Sequence, residues 1–378
     1  MNLSGKIWFL LPVLMFVMSI TTSCNKITAP ESPDENEGIC VAKLQVPEGN
    51  KIYHAAFPDF GGTEDVVTEN RIIVFEKLAG KEIAWAYFSN NWFPETGGIV
   101  FPGKAVQIIH NTGRVPFIRM MPRSDFNEGG PDPVFTMQKI IDGDFDSDLK
   151  NWAREAKQVP YPLLVEFGTE VNGNWFPWNG EYNGKDSKTN YGSPALFDGM
   201  ERFRDAYRHI ITICNNAGAN NITWFYHVDI YSSPESGWNN MSGYYPGDNY
   251  IDWIGVSVYG PQDKQEGWWS FEDVLDDSWD ELLSISKTGK PIALLEWGVI
   301  DYPSVGNKAT WIKSALANIK PGGKYYPLIK AVSYWNEDFN QTNLRIDSSP
   351  ESLRAYSDAI SDSVFVSKVL FDTKAIKE

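Results

Sequence analysis

Eight short runs of β-branched and aromatic residues, separated by longer amphipathic stretches, constrain this chain more than any other feature. They are IYHAAF (52–57), EIAWAYF (82–88), VPFIRMM (115–121), PLLVEFG (162–168), NITWFYHV (221–228), DWIGVSVYG (252–260), PIALLEWG (291–298) and IKAVSYWN (329–336). Strand-like runs alternating with helical stretches are the pattern of βα units around a parallel sheet. Several runs are continuously apolar, as expected where helices cover one side of a strand and barrel packing covers the other. Eight of them predict a closed (β/α)8 barrel. Before the fifth run, Met200, Phe203, Tyr207, Ile210, Ile211 and Cys214 fall at helical spacing, and Asn215, Asn216 and Gly218 end the helix. An open doubly wound sheet is the alternative architecture. It needs a Gly-rich phosphate turn after the first strand, where FPDFGG offers two adjacent glycines and no more. No internal repeat is evident, so one catalytic domain is expected over 46–378.

The N-terminus reads differently. Residues 1–23 carry one Lys, an apolar stretch from Ile7 to Ile20 and small residues immediately before Cys24. That arrangement resembles the bacterial lipobox, which predicts a signal peptide over 1–23 and lipid attachment at Cys24. Residues 24–45, rich in Pro, Glu, Asp and Asn, are expected to be a flexible spacer. The predicted location is therefore the cell membrane or outer membrane surface, with the membrane reached only through the lipid anchor. A monomer is expected.

Thirty-three basic against 49 acidic residues give a net charge of −16, so nucleic acid meets repulsion over most of the surface and is excluded as a partner. Neutral ligands remain. His54, His110, His209, His227, Cys40 and Cys214 are scattered without metal-ligand spacing, and no disulfide framework is implied. Neither a metal nor a cofactor is expected, since a Schiff-base Lys is lacking as well. The chain has 15 Trp and 17 Tyr, and flat amphipathic rings outside the core are what stacking on sugar faces requires.

In a (β/α)8 barrel the reactive groups sit at the C-terminal ends of strands, so an acid placed where an apolar run stops is the feature to find. Glu170 follows PLLVEFGT, and Glu296 ends PIALL before Trp297 and Gly298. Glycoside hydrolysis needs two carboxyl groups across the scissile bond, one protonated and one ionised. After Glu170, Asn172, Asn174, Trp175 and Trp178 offer amide hydrogen bonds and stacking surface to a hydroxyl-rich ligand. Binding without cleavage would use the same tryptophans, and the presence of both acids separates the two readings.

These segments resemble glycoside hydrolase family 26, which includes β-mannanases, lichenases and β-1,3-xylanases. The resemblance runs from about residue 52 to about 358 through IIDGDFDSDLKNWAREAK, LLVEFGTEVNGNWFPW, FRDAYRHIITICNNAGANNITWFY, YYPGDNYIDWIGVSVYG, KPIALLEWG and IKAVSYWN. It implies a retaining enzyme acting on a β-linked polysaccharide, with Glu170 as acid/base and Glu296 as nucleophile. Tyr259 matches the tyrosine that hydrogen-bonds the nucleophile. Trp175 matches an aromatic lining the cleavage subsites, and Trp335 resembles the tryptophan of the sugar platform. Trp178, Asn172 and Trp92 are further expected subsite residues. Three positions depart from the family pattern: Thr169 stands in place of His before the acid/base, Glu166 in place of Arg, and Val171 where Met is common. An endo-acting β-1,4-mannanase is expected, with a mixed-linkage β-glucanase as the alternative.

Overall fold

The computed structural model describes residues 40–324, 326–339 and 342–375. The expected signal peptide, Cys24 and the spacer as far as residue 39 lie outside the described residues. The eight runs become eight parallel strands: β1 (Ile52–Phe57), β2 (Trp85–Asn91), β3 (Val115–Met121), β4 (Leu163–Phe167), β5 (Ile222–Asp229), β6 (Trp253–Tyr259), β7 (Ile292–Gly298) and β8 (Ile329–Trp335). Each pairs with the next, and β8 returns to β1 with Tyr53 opposite Ala331 and Phe57 opposite Trp335, which closes the barrel. Closure leaves no strand edge among the eight to attract another chain. All residues of β1, β2, β3, β4 and β7 are buried, the few polar ones among them included.

The helices are α1 (Glu69–Ala79), α2 (Gly103–Asn111), α3 (Met137–Asp142), α4 (Asp146–Gln158), α5 (Asp198–Ala217), α6 (Phe271–Ser284), α7 (Lys308–Asn318) and α8 (Pro350–Ile360). The stripe read from the sequence is the buried face of α5, and Gly218, at φ 81°, caps its end by donating to Cys214 and Asn215. Each large apolar side chain so covered contributes about 1.5–3 kcal/mol. One crossover lacks a helix. Between β5 and β6 the chain forms only a 3-10 turn, Met241–Tyr244, because SSPESGWNN supplies turn residues where helical periodicity is needed.

Two sequence boundaries move. β2 starts at Trp85 and runs on to Asn91, beyond the apolar run, because Asn90 and Asn91 satisfy their amides on the Val100 and Thr63 carbonyls. Cys40–Leu44, expected within the spacer, is instead a strand antiparallel to Phe371–Ala375. It is docked on the N-terminal end of the barrel: the Leu44 amide donates to Thr223, and the Trp253 indole donates to the Leu44 carbonyl. Residues 40–44 are therefore part of the folded domain.

Candidate active site

Glu170 owes its position to a tight turn at the end of β4. Gly168 and Glu170 both take positive φ, 63° and 48°, and for glutamate that left-handed backbone is strained. A side chain at 168 would meet the Phe203 ring of α5 at 2.7 Å, so only glycine fits. The turn is pinned on both sides, with the Gly168 amide on the Met120 carbonyl and the Trp178 indole on the Thr169 carbonyl, 2.7 Å. Trp175 then folds back over Gly173, where a Cβ would lie 2.2 Å from its ring, and its indole N–H donates to Glu170 Oε2 at 2.8 Å.

Glu296 lies on β7, opposite Ser257 of β6. Arg119 Nη2 approaches its Oε1 at 3.0 Å, Tyr259 OH donates to its Oε2 at 2.9 Å, and Tyr87 OH stands 3.5 Å from Oε1. Beneath it the barrel floor is polar and closed. Ser89, Arg119 and Glu166 are register partners on β2, β3 and β4. Arg119 also donates to Glu64 at 2.7 Å and lies 3.5 Å from Glu166. Glu166 takes a hydrogen bond from Tyr87 and faces His227 Nδ1 at 2.9 Å, while His227 Nε2 reaches Ser257 and its Nδ1 also reaches Thr169, 2.7 Å.

The charges in this layer are set by those partners. Burial alone pushes Glu166 up, but His227, Arg119 and Tyr87 together hold it below the ordinary range. Burial pulls His227 down, yet Glu166 leaves it raised, so the two form a buried ion pair. Burial pushes both Glu170 and Glu296 up to about 7. Their surroundings then differ. Glu296 is opposed most strongly by the Arg119 cation, whereas Glu170 is pushed further by Asp229 and is opposed by His227 and by the neutral Ser257 and Trp175 donors. Glu296 is therefore the acid with a cationic partner in contact, and Glu170 the acid without one.

The two acids line one cleft of about 970 Å³ across the C-terminal mouth of the barrel, together with Trp175, Tyr259 and Trp335. Trp335 stacks on Phe57 with ring centres 4.0 Å apart, and its indole donates to Glu337. Five of the residues expected at the site are thus brought together. Three are not on the cleft wall. Trp92 is wholly buried between Phe135 and Phe167, because its amide continues the ladder onto the Met121 carbonyl and turns the ring inward. Trp178 is buried against Phe176 and acts on the Thr169 carbonyl. Asn172 is buried too, and clamps β5 by accepting from the Asp229 amide and donating to its carbonyl.

Sequence reasoning missed Asp229, Glu337 and Glu64, which also line the cleft. Asp229 ends β5, so the strand-end rule that found Glu170 reaches it as well. Burial pushes Asp229 up to about 7 and Glu337 up to about 8. Arg119 sits inside an apolar run, and only the closed register shows that it faces the interior.

A sequence profile described as Glycosyl hydrolase family 26 matches residues 135–340. Endoglucanase H of Acetivibrio thermocellus is 29% identical over 296 residues, which is 78% of this chain and 29% of that protein. A mannan endo-1,4-beta-mannosidase of Bacillus subtilis is 23% identical over 197 residues, 51% of this chain and 44% of that protein. The chain thus spans less than half the length of these relatives. Among solved structures, the Bacillus subtilis mannanase BCman superposes with a TM-score of 0.57 at 18% identity, covering 85% of this chain and 88% of its own, and so shares the barrel fold.

Proposed function

The chain belongs to glycosyl hydrolase family 26, and on that premise we propose that it is an endo-acting, retaining hydrolase of β-linked glycans, with β-1,4-mannan as its substrate. The carrying observation is the asymmetric pair: two buried carboxyls in one cleft, of which Glu296 alone touches a guanidinium. Glu296, as carboxylate, attacks the anomeric carbon while Glu170 gives its proton to the departing glycosidic oxygen. The C–O bond to the leaving chain breaks as the ester bond to Glu296 forms. Glu170, now ionised, takes a proton from water, whose oxygen displaces Glu296 and restores the β configuration. Tyr259 and Arg119 hold Glu296 ionised and aimed. Trp335 lines the cleft beside the two acids, with Phe57 stacked on its ring and the Arg119 guanidinium over it.

A second reading, β-glucan as substrate, is favoured by the longer and more similar match to Endoglucanase H, and by Thr169 in place of the usual His. Reducing ends released from unsubstituted mannan, glucomannan and mixed-linkage glucan decide between them: activity on mixed-linkage glucan with none on mannan selects the second. For the mechanism, Glu296→Ala is expected to abolish turnover on every substrate. Glu170→Ala loses most activity on polysaccharide but still reacts slowly with an aryl glycoside, and azide restores its turnover with a β-configured product. An α-configured first product by NMR overturns the role of Glu296. We further propose lipid attachment at Cys24, from the small residues before it. Cys24→Ser is then expected to leave the membrane fraction with activity intact, and a variant that stays membrane-bound refutes the attachment.

A further inference from the structure

Trp269 is 60% exposed, more than any other large apolar residue described, and Tyr231 is 45% exposed. Both line one groove of about 800 Å³ with Asp273, Asp276 and Asp277. Open apolar rings are unfavourable in water, and here they do not lie on loose chain. The Trp269 carbonyl accepts from the Trp311 indole at 3.1 Å, and Ser270 caps α6 in a reciprocal capping box with Asp273. The neighbouring Trp268 packs against the core, so one indole anchors the segment and the next faces outward. Tyr231 is tied to the catalytic cleft itself, since its amide donates to Asp229 Oδ1 at 2.8 Å and Asp229 lines that cleft.

Both rings follow strand ends, Tyr231 after β5 and Trp269 after β6, so they stand on the same face as the two acids. Flat rings flanked by carboxylates suit a pyranose: the ring takes the C–H face of the sugar and the carboxylates accept from its hydroxyls. Strand order gives the direction. Glu170, the proton donor to the leaving oxygen, ends β4 beside β5, whereas Trp335 belongs to β8 on the other flank. We propose that Tyr231 and Trp269 form a distal subsite for the leaving-group portion of the same β-glycan chain. This rests on the reading of Glu170 and Glu296 as the cleaving pair.

Glucomannan and two aryl β-glycosides, of mannobiose and of cellobiose, provide the test, because the aryl group leaves no sugar beyond the cleavage point. For Trp269→Ala and Tyr231→Ala, kcat/KM on glucomannan relative to the aryl glycoside is expected to fall about five- to tenfold, mainly through KM, equivalent to about 1 kcal/mol or slightly more. Trp269→Phe, which keeps a stacking face, recovers most of it. Retardation of the protein in glucomannan-containing gels reads the same platform without catalysis, and Trp269→Ala is expected to migrate faster. An unchanged ratio and unchanged retardation in both alanine variants overturn the subsite. A wild-type chain that cuts neither polymer nor aryl glycoside yet shows Trp269-dependent retardation overturns the cleavage reading and leaves the platform standing.

Discussion

Asp229 is the acidic neighbour that adds to the effect of burial on Glu170. Burial is the largest cause of the rise in Glu170 to about 7, and Asp229 adds to it, while His227, Ser257 and the Trp175 indole work the other way. Activity on polysaccharide needs Glu170 protonated, so kcat/KM is expected to fall as pH rises through about 7. Asp229→Asn removes the anion that penalises ionised Glu170 and is expected to move that alkaline limb to lower pH; a limb that stays in place shows that Asp229 does not set it. Arg119 acts on the other acid. Arg119→Lys keeps a charge but loses the fork that spans Glu64 and Glu296, and is expected to cut kcat by about 10²-fold or more with little change in KM. At this scale the sequence was legible where an acid stands at a strand end, since Glu170 and Glu296 both line the cleft. It left open whether Glu166 pairs with Arg119 or stands as a third carboxylate, and it offered no partner for Thr169. Thr169 brings no imidazole and Glu166 no guanidinium, but His227 on β5 and Arg119 on β3 stand against both positions from neighbouring strands. Those strands are sequence neighbours in the barrel, and the register between them sets Arg119 opposite Glu166.

Strands were the most legible elements, because a parallel strand covered on both sides leaves a largely apolar run and seven of the eight runs match the observed strand to within one residue at either end. Where polar residues carry on the ladder, as Asn90 and Asn91 do, the run stops and the strand does not. Trp92 was misjudged for the same reason: with β2 ending later than its apolar run, Trp92 falls on the inward side rather than on the rim. The turn after β4 carries the prediction at this scale. Gly168→Ala places a Cβ 2.7 Å from the Phe203 ring on a backbone of positive φ. The expected cost is about 1–3 kcal/mol in stability, and the shift passes to Glu170, two residues on. Thermal denaturation and kcat should therefore fall together. A variant with lowered Tm but wild-type kcat shows that the turn does not aim the acid.

Across the whole molecule, the cleft gathers acids that the fold holds protonated more readily than water does. Glu170, Asp229 and Glu296 are pushed up to about 7 and Glu337 to about 8, from ordinary values of 4.5 for glutamate and 3.8 for aspartate. A carboxyl with a raised folded-state value binds its proton more tightly folded than unfolded. Stability is then full below about 4.5 and declines as pH rises through about 7. Glu166, held down by His227, and His54 and Lys308, which burial pulls down to about 4 and about 7, have the opposite sign and oppose these four. Tm is accordingly expected to be several degrees higher at pH 5 than at pH 7.5. The net charge of −16 also favours the lower pH through general repulsion, and salt separates the two causes. Repulsion between exposed charges is screened within about 3 Å at 1 M salt, whereas the cost of ionising buried acids is not. Most of the difference in Tm should therefore survive high salt. Glu170→Gln should raise Tm at pH 7.5 by a few degrees and leave it unchanged at pH 5, at the expense of activity on polysaccharide. If salt abolishes the pH dependence and Glu170→Gln changes nothing, the instability comes from the surface and not from the cleft.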